Sequence, residues 1–323
     1  MVSTKRVTAA DIARSLGVSR ATVGFVLNET PGQTIPLSTQ ERVRAEAKRL
    51  GYRPHLAARA LASGQSKIIL LVLPDWPIEH SMRTHLDEAS LVLDQAGYSL
   101  VTMTPHPGGQ ARPLWETLQP DLVMGMVPFT EAMASEIRAS GTRVIGSDDP
   151  EPAATELEYE RGPVLQIEHL AERGHGQVIF AIPTDPRLSR LSQEREALAA
   201  ATALRCGIQL TVLPVTEATA AHVLDAAEST GVTAIAAYND DIAALVASVA
   251  LRRGIKIPEQ LAIIGHDDSP ISSLFVPSLS TIHVDSAGLG RYFAALALHE
   301  IEGAPAPASG PATRATLVTR ESS

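Results

Sequence analysis

Residues 7–28 read VTAADIARSLGVSRATVGFVLN. Thr8 stands where a side-chain oxygen can cap a helix over residues 9–16, with Asp11 in its first turn. Ile12 and Leu16 lie four apart on one face of it. Gly17 ends it, because glycine accepts left-handed backbone. Ser19 caps a second helix over residues 20–27, with Val23, Val26 and Leu27 for the core and Asn28 and Pro31-Gly32 as its close. A third helix is expected after Ser38. Ser38-Thr39-Gln40-Glu41 has capping-box spacing, and Val43, Ala47 and Leu50 form an apolar stripe that stops at Gly51. Two short helices joined by a glycine turn follow the helix-turn-helix plan, whose second helix enters the DNA major groove. Alone, that plan also occurs in helical proteins that bind nothing.

The charge distribution singles out this stretch. Residues 1–65 carry ten Lys and Arg against four Asp and Glu, while residues 66–323 carry 17 against 32. A small basic head on a large acidic body suggests that only the head meets a polyanion. The 323-residue length allows two or three domains. The single cysteine, Cys206, excludes an internal disulfide framework and a Cys-based zinc site. The first residues lack the apolar core of a signal peptide, and the apolar run 68–73 is too short to span a bilayer. A cytoplasmic protein with no membrane partner is expected.

From Lys67 onward, short apolar runs (68–73, 122–127, 144–145, 178–182, 234–237, 261–264) alternate with amphipathic stretches (79–96, 131–140, 161–173, 188–205, 240–253). Buried strands followed by helices predict parallel α/β sheets, and there is enough chain for two. Residues 54–62 form a short, alanine-rich, helix-prone segment, and Ser63-Gly64-Gln65-Ser66 reads as a linker.

Ligands of open α/β sheets sit beyond the carboxyl ends of the strands. The residues there are Asp75 and Trp76, Pro128 and Phe129, Ser147 and Asp148, residues 184–190, residues 238–240 and residues 266–268. They mix aromatic, carboxylate and guanidinium groups suited to a polar or polyhydroxylated ligand. Asp240 has a second reading as a helix cap, and Trp76 as packing.

Several stretches together resemble the LacI/GalR-type bacterial transcriptional regulators. They are residues 7–28, LGYRP (50–54), HLAARALASGQS (55–66), AERGHGQV (171–178), the run 237–270 ending in GHDDSP, LSTIHVD (279–285) and LVTRESS (317–323). The resemblance covers nearly the whole chain. It implies an all-α helix-turn-helix domain at 1–53, a hinge helix and linker at 54–65, and a body at 66–323 of two parallel-sheet lobes like the type I periplasmic binding proteins. Lobe 1 is expected at about 66–153 and 281–303, lobe 2 at about 154–280 and 304–323, with a crossing near Asp148-Asp149-Pro150.

Carried over position by position, the resemblance implies base reading by Arg20, Ala21 and Phe25 and phosphate contacts by Thr8, Ser19, Thr22 and Asn28. Phe25 stands where arginine is common, so it would meet a thymine methyl and not a guanine; its alternative is a core position facing the third helix. Gly24 beside it weakens the helix by about 1 kcal/mol relative to alanine. The resemblance further implies that Leu61 wedges into a central minor-groove step and bends the duplex. It marks Asp75, Trp76, Arg190, Asp240 and Asp267 as effector residues. Gln193-Glu194, Glu158-Tyr159 and His266 depart from the family pattern near that cleft.

The resemblance thus implies a repressor that binds a pseudo-palindromic double-stranded operator as a homodimer, under control of a small polar effector, sugar-like by family default. Met82, Leu86, Ala89 and Leu93 offer a helical face, part of which is expected to meet the second subunit. No C-terminal heptad helix follows, so a dimer is expected over a coiled-coil tetramer. No G-x-S-x-G, P-loop, G-x-G-x-x-G or H-E-x-x-H motif occurs, so no enzyme, catalytic residue, metal or cofactor is expected. A solute-binding sensor of the same body fold is the alternative; the basic head speaks against it.

Overall fold

The computed structural model describes residues 7–28, 32–52, 65–106, 108–147, 161–307 and 314–323. Leu61, with the expected hinge through residue 64, lies outside the described residues, as do Asp148-Asp149-Pro150 and Glu158-Tyr159. The chain divides into two compact units, Met1–Ile68 with Arg112–Asp121, and Ile69–Ala111 with Leu122–Ser323.

In the first unit, α1 (Ala9–Leu16) opens on a complete capping box: Thr8 Oγ accepts the Asp11 N–H, and Asp11 accepts the Thr8 N–H. Gly17 closes it with φ 67°. Ser19 caps α2 (Arg20–Leu27) through the Thr22 N–H at 2.9 Å. The third helix, α3 (Leu37–Arg49), departs from expectation. It begins before Ser38, with Pro36 as its cap residue, and no side chain caps it. The Pro36 carbonyl accepts from Thr39 and Gln40, and the Gln40 amide donates to the Ile35 carbonyl. Ile35 is thereby held against the head core of Ile12, Ala13, Val23, Val26, Val43 and Ala47.

The remaining elements follow in chain order. They are β1 (Ile68–Val72), α4 (His80–Gln95), β2 (Ser99–Met103), α5 (Leu114–Leu118), β3 (Leu122–Phe129), α6 (Glu131–Ala139), β4 (Arg143–Ser147), α7 (Gly162–Glu172) and β5 (Gln177–Pro183). After a 3-10 turn come α8 (Ser189–Cys206), β6 (Gln209–Val215), α9 (Ala220–Thr230), β7 (Ala234–Ala237), α10 (Asp240–Arg252) and β8 (Ala262–Ile264). The last are α11 (Pro270–Leu274), β9 (Thr281–Val284), α12 (Ser286–Glu302) and β10 (Ala315–Val318).

Two four-stranded sheets form, ordered β2-β1-β3-β4 and β6-β5-β7-β8, so both halves share one strand order. The second is parallel throughout, and β1, β3 and β4 pair in parallel. Its central strands are apolar on both sides because both faces are covered. Ile179, Ala181, Ile235 and Ile263 face one cluster with α9 and α10; Val178, Phe180, Ala234 and Ile264 face another with α7 and α8.

On α4, Ala89 and Leu93 are buried within the chain, while Met82 and Leu86 stay half-buried. Met82, Leu86 and Leu93 pack into the first lobe's cluster beside Ala294 and Ala297 of α12. The two helices come close because Gly290 has no side chain; a Cβ there would sit 2.3 Å from the His85 carbonyl oxygen and 3.1 Å from the Ala89 nitrogen. One expectation needs correction: residues 281–284 do not belong to the first lobe. Strand β9 pairs antiparallel with β10, and Ile282 is buried in the second lobe's core. The chain therefore crosses at Asp285, after β9, and crosses back between Glu302 and Ala315.

Candidate functional site

The exposed face of α2 is set by what the helix buries. Val23 and Val26 point into the head core, which leaves Arg20, Ala21 and Asn28 exposed. Phe25 is 37% exposed and lies outside that core, so its packing alternative is not realised. Ser19 Oγ and Thr22 Oγ are 2.8 Å apart, and Ser19 Oγ also accepts the Thr22 N–H. Whichever hydroxyl donates, one proton of the pair is left for an outside acceptor. Thr8 differs, because its hydroxyl proton goes to Asp11 Oδ2 at 2.7 Å.

In the body, a polar cluster gathers beyond the carboxyl ends of β1, β7 and β8. Glu79, just before α4, accepts a 3.2 Å hydrogen bond from the Asn239 amide, which links the two lobes directly. Trp76, on the loop after β1, packs against the second lobe's apolar cluster. The Arg195 guanidinium lies 4.3 Å from the Tyr238 ring centroid, donates to the Tyr238 carbonyl and reaches Asp267 Oδ1 at 3.4 Å. His266 Nδ1 is 2.6 Å from the same oxygen.

Burial pushes the Asp267 carboxyl up, but the Arg195 and His266 side chains outweigh it and hold it below the usual carboxylate range. Burial holds His266 below its ordinary value, so neutral imidazole donates from Nδ1. Glu79 is raised by burial, and its amide bond to Asn239 opposes that only in part. Asp267 has φ 95°, a left-handed conformation that non-glycine residues hold only under constraint. Its N–H bond to the Ile282 carbonyl supplies part of that constraint.

Two sequence-predicted effector residues are not brought to this cluster. Arg190 is exposed and pairs with Glu194 at 2.8 Å. Asp240 is buried inside the second lobe, where its carboxylate accepts from the Ser269 N–H at 2.6 Å and the Thr281 hydroxyl at 2.5 Å. It is not the cap either: Asn239 caps α10 through the Ile242 N–H. The residue passed over was Arg195. It falls on the stripe Ser192, Ala199, Thr202 and Ala203, buried at three- and four-residue spacing, whereas Arg190 lies off it. Asp75 is exposed, close enough to Arg187 to raise that guanidinium's pKa as a minor contribution.

The model for bacterial regulatory proteins of the lacI family matches residues 8–55, and that for the periplasmic binding protein-like domain matches residues 167–323. The HTH-type transcriptional regulator GntR of Pseudomonas aeruginosa is 30% identical, over 99% of this chain and 96% of its own. The chain belongs to the LacI family. The HTH-type transcriptional regulator MalR of Streptomyces coelicolor is 27% identical over 97% of this chain and 95% of its own. The Lac repressor dimer bound to operator and the anti-inducer ONPF has the same fold, with a TM-score of 0.77 at 23% identity, covering 98% of this chain and 99% of that one. As a LacI-family member the protein is a DNA-binding transcriptional regulator with an effector-binding domain. No helix of the described residues is long and apolar enough to cross a membrane.

Asp240 gives this LacI-family body a pH dependence. Burial raises its pKa to about 7, against the hydrogen bonds from Thr281 and Ser269. An acid whose pKa is higher folded than unfolded binds more protons in the native state. Its contribution to stability therefore falls as pH rises from about 4 to about 7, by about 1.4 kcal/mol per pH unit at most. Asp240→Asn keeps the acceptor for Ser269 and presents an N–H to Thr281, as the protonated acid does. In urea unfolding across this pH range, the variant is expected to gain on the wild type with rising pH, by on the order of 3 kcal/mol in all.

Proposed function

We propose that the protein is a homodimeric repressor of a pseudo-palindromic operator, acting in the cytoplasm, whose DNA affinity is set by a small polar effector held between the lobes. The observation that carries this reading is the presence, in one LacI-family chain, of an exposed α2 face and a polar cluster bridged across two lobes by Glu79 and Asn239. Arg20, Ala21 and Phe25 read bases. Ser19, Thr22, Asn28 and, with its Asp11 bond exchanged, Thr8 meet phosphates, which fixes register without carrying sequence information. Leu61 wedges the central step.

The effector meets Asp75, Trp76, Glu79, Arg195, Asn239 and Asp267. Carboxylates and an amide accept and donate to hydroxyls while Trp76 and Tyr238 offer aromatic faces, a combination suited to a sugar-like compound. The effector shifts operator affinity only as far as it prefers one lobe arrangement, typically by about 1–3 kcal/mol. Leu274 and Val276, 75% and 81% exposed, are apolar surface that a second subunit would cover.

The test is selection of DNA from a random-sequence pool by the full chain, followed by anisotropy titration of the enriched duplex across a salt series. A palindromic consensus bound by two chains is expected; no enrichment refutes the reading. Arg20→Ala is expected to lose about 5- to 150-fold on that duplex and to relax selectivity at one base pair. Equal loss on every sequence would make Arg20 a phosphate contact. Phe25→Ala is expected to weaken preference at a T·A pair alone.

A further inference from the structure

Asp121 is the last residue before β3, and its carboxylate gathers the residues that lead into β1. Oδ1 accepts the Ser66 N–H at 2.8 Å and the Ser66 hydroxyl at 3.2 Å; Oδ2 accepts the Lys67 N–H at 2.9 Å. The Asp121 N–H donates to the Ile68 carbonyl at 2.9 Å, and Ser66 Oγ accepts the Ile68 N–H at 3.3 Å. Lys67 has φ 56°, a left-handed conformation that a residue with a Cβ keeps only where surrounding bonds hold it. Bonds to a charged acceptor are the strong ones, and three donors converge on one carboxylate here.

These bonds do more than build the sheet. The β1–β3 ladder begins at Ile69 opposite Leu122, so residues 66 and 67 lie outside it. In sequence, residues 53–64 connect this point to the head. We propose that Asp121 is a positioning residue for DNA recognition: it fixes the direction in which the segment from the head joins the body. A tether anchored in one direction narrows the orientations its head explores and raises the effective concentration of the second head at the second half-site. Sequence-independent binding, which needs only phosphate contacts by the head, gains little from it.

The proposal rests on the regulator reading above, and its test separates the two. The probes are the duplex enriched by the wild-type chain and a scrambled duplex of equal length. Affinities are measured by anisotropy across a salt series for wild type, Asp121→Ala and Asp121→Asn, with thermal unfolding of each. Asp121→Ala is expected to lose about tenfold on the enriched duplex while binding the scrambled duplex with unchanged affinity and salt slope. Asp121→Asn is expected to recover part of the loss, since its oxygen can accept from Ser66 while its NH2 cannot accept from Lys67. Unchanged affinity of Asp121→Ala for the enriched duplex would overturn the proposal. So would equal losses on both duplexes with a lowered melting temperature, which would assign Asp121 to folding alone. If the wild type enriches no sequence, the regulator reading fails first and the proposal with it, before any variant is made.

Discussion

Arg195→Ala is expected to destabilise the body by about 3 kcal/mol and to change how it responds to pH. The guanidinium is a hydrogen-bond donor to the Tyr238 carbonyl, a cation on the Tyr238 ring and the charge partner of Asp267. Both ends of the ion pair are largely buried, with side-chain exposures of 17% and 11%, so removing one leaves a largely desolvated carboxylate without its cation. In the wild type Asp267 is held below the usual range, so its contribution is present above about pH 4 and lost as pH falls through its folded pKa. Without Arg195 only His266 is left to oppose burial, so the folded pKa rises, and the expected result is stability that falls as pH rises above about 4. The measurement is urea unfolding between pH 4 and 7 in the Asp240→Asn background, which removes the Asp240 slope, with Asp240→Asn alone as the reference for the remaining groups. A flat profile in Arg195→Ala would show that His266 alone holds Asp267 down and would overturn the prediction. Arg195→Lys keeps the charge without the planar fork and is expected to recover the pH profile more fully than the stability.

Gly265→Ala is expected to cost a similar amount by another route. A Cβ there would lie 2.1 Å from Asp240 Oδ1 and 3.1 Å from the Asp240 Cα. The carboxylate cannot swing away cheaply, because the Ser269 N–H and the Thr281 hydroxyl hold it and would be left buried without an acceptor. Overpacking and lost hydrogen bonding each cost about 1–3 kcal/mol. The sum should lower the melting temperature by on the order of 10 °C in a body of this size. Pairing Gly265→Ala with Asp240→Ser removes the obstructing oxygen, so the double variant should be less destabilised than the two single effects added. Strict additivity would rule out this clash as the cause.

What was legible in the sequence follows from which physical signals are local. The limits of α1 and α2 were readable because Thr8, Ser19 and Gly17 mark them chemically. Central strands such as β5 and β7 were readable because both of their faces are buried, which leaves an uninterrupted apolar run. The edge strands β2 and β6 were missed for the converse reason. Residues 99–103 and 209–215 are half exposed and alternate with polar residues, so no continuous run announces them. The capping-box spacing at Ser38 misled, because a backbone carbonyl had already closed that turn. Arg190 was implied by the family resemblance, yet one helix stripe turns Arg195 inward and Arg190 outward. Close approaches are the least legible of all. Gly162 stands against His266, Gly265 against Asp240 and Gly290 against His85, all pairs far apart in sequence.

The discontinuous lobes also bear on how such a protein can diversify. The three-helix core of the head, residues 9–52, is one continuous segment, so a single crossover in the gene can place it on another body and give an existing sensor a new address on DNA. A lobe offers no such join. The first lobe takes α12 from beyond β9, and the second takes β10 from beyond α12. Exchanging the second lobe alone would require matched breaks at three places, and the first lobe alone a fourth at its join to the head. New ligand preferences should therefore arise by point changes lining the cleft, whereas new DNA targets can also arrive by shuffling.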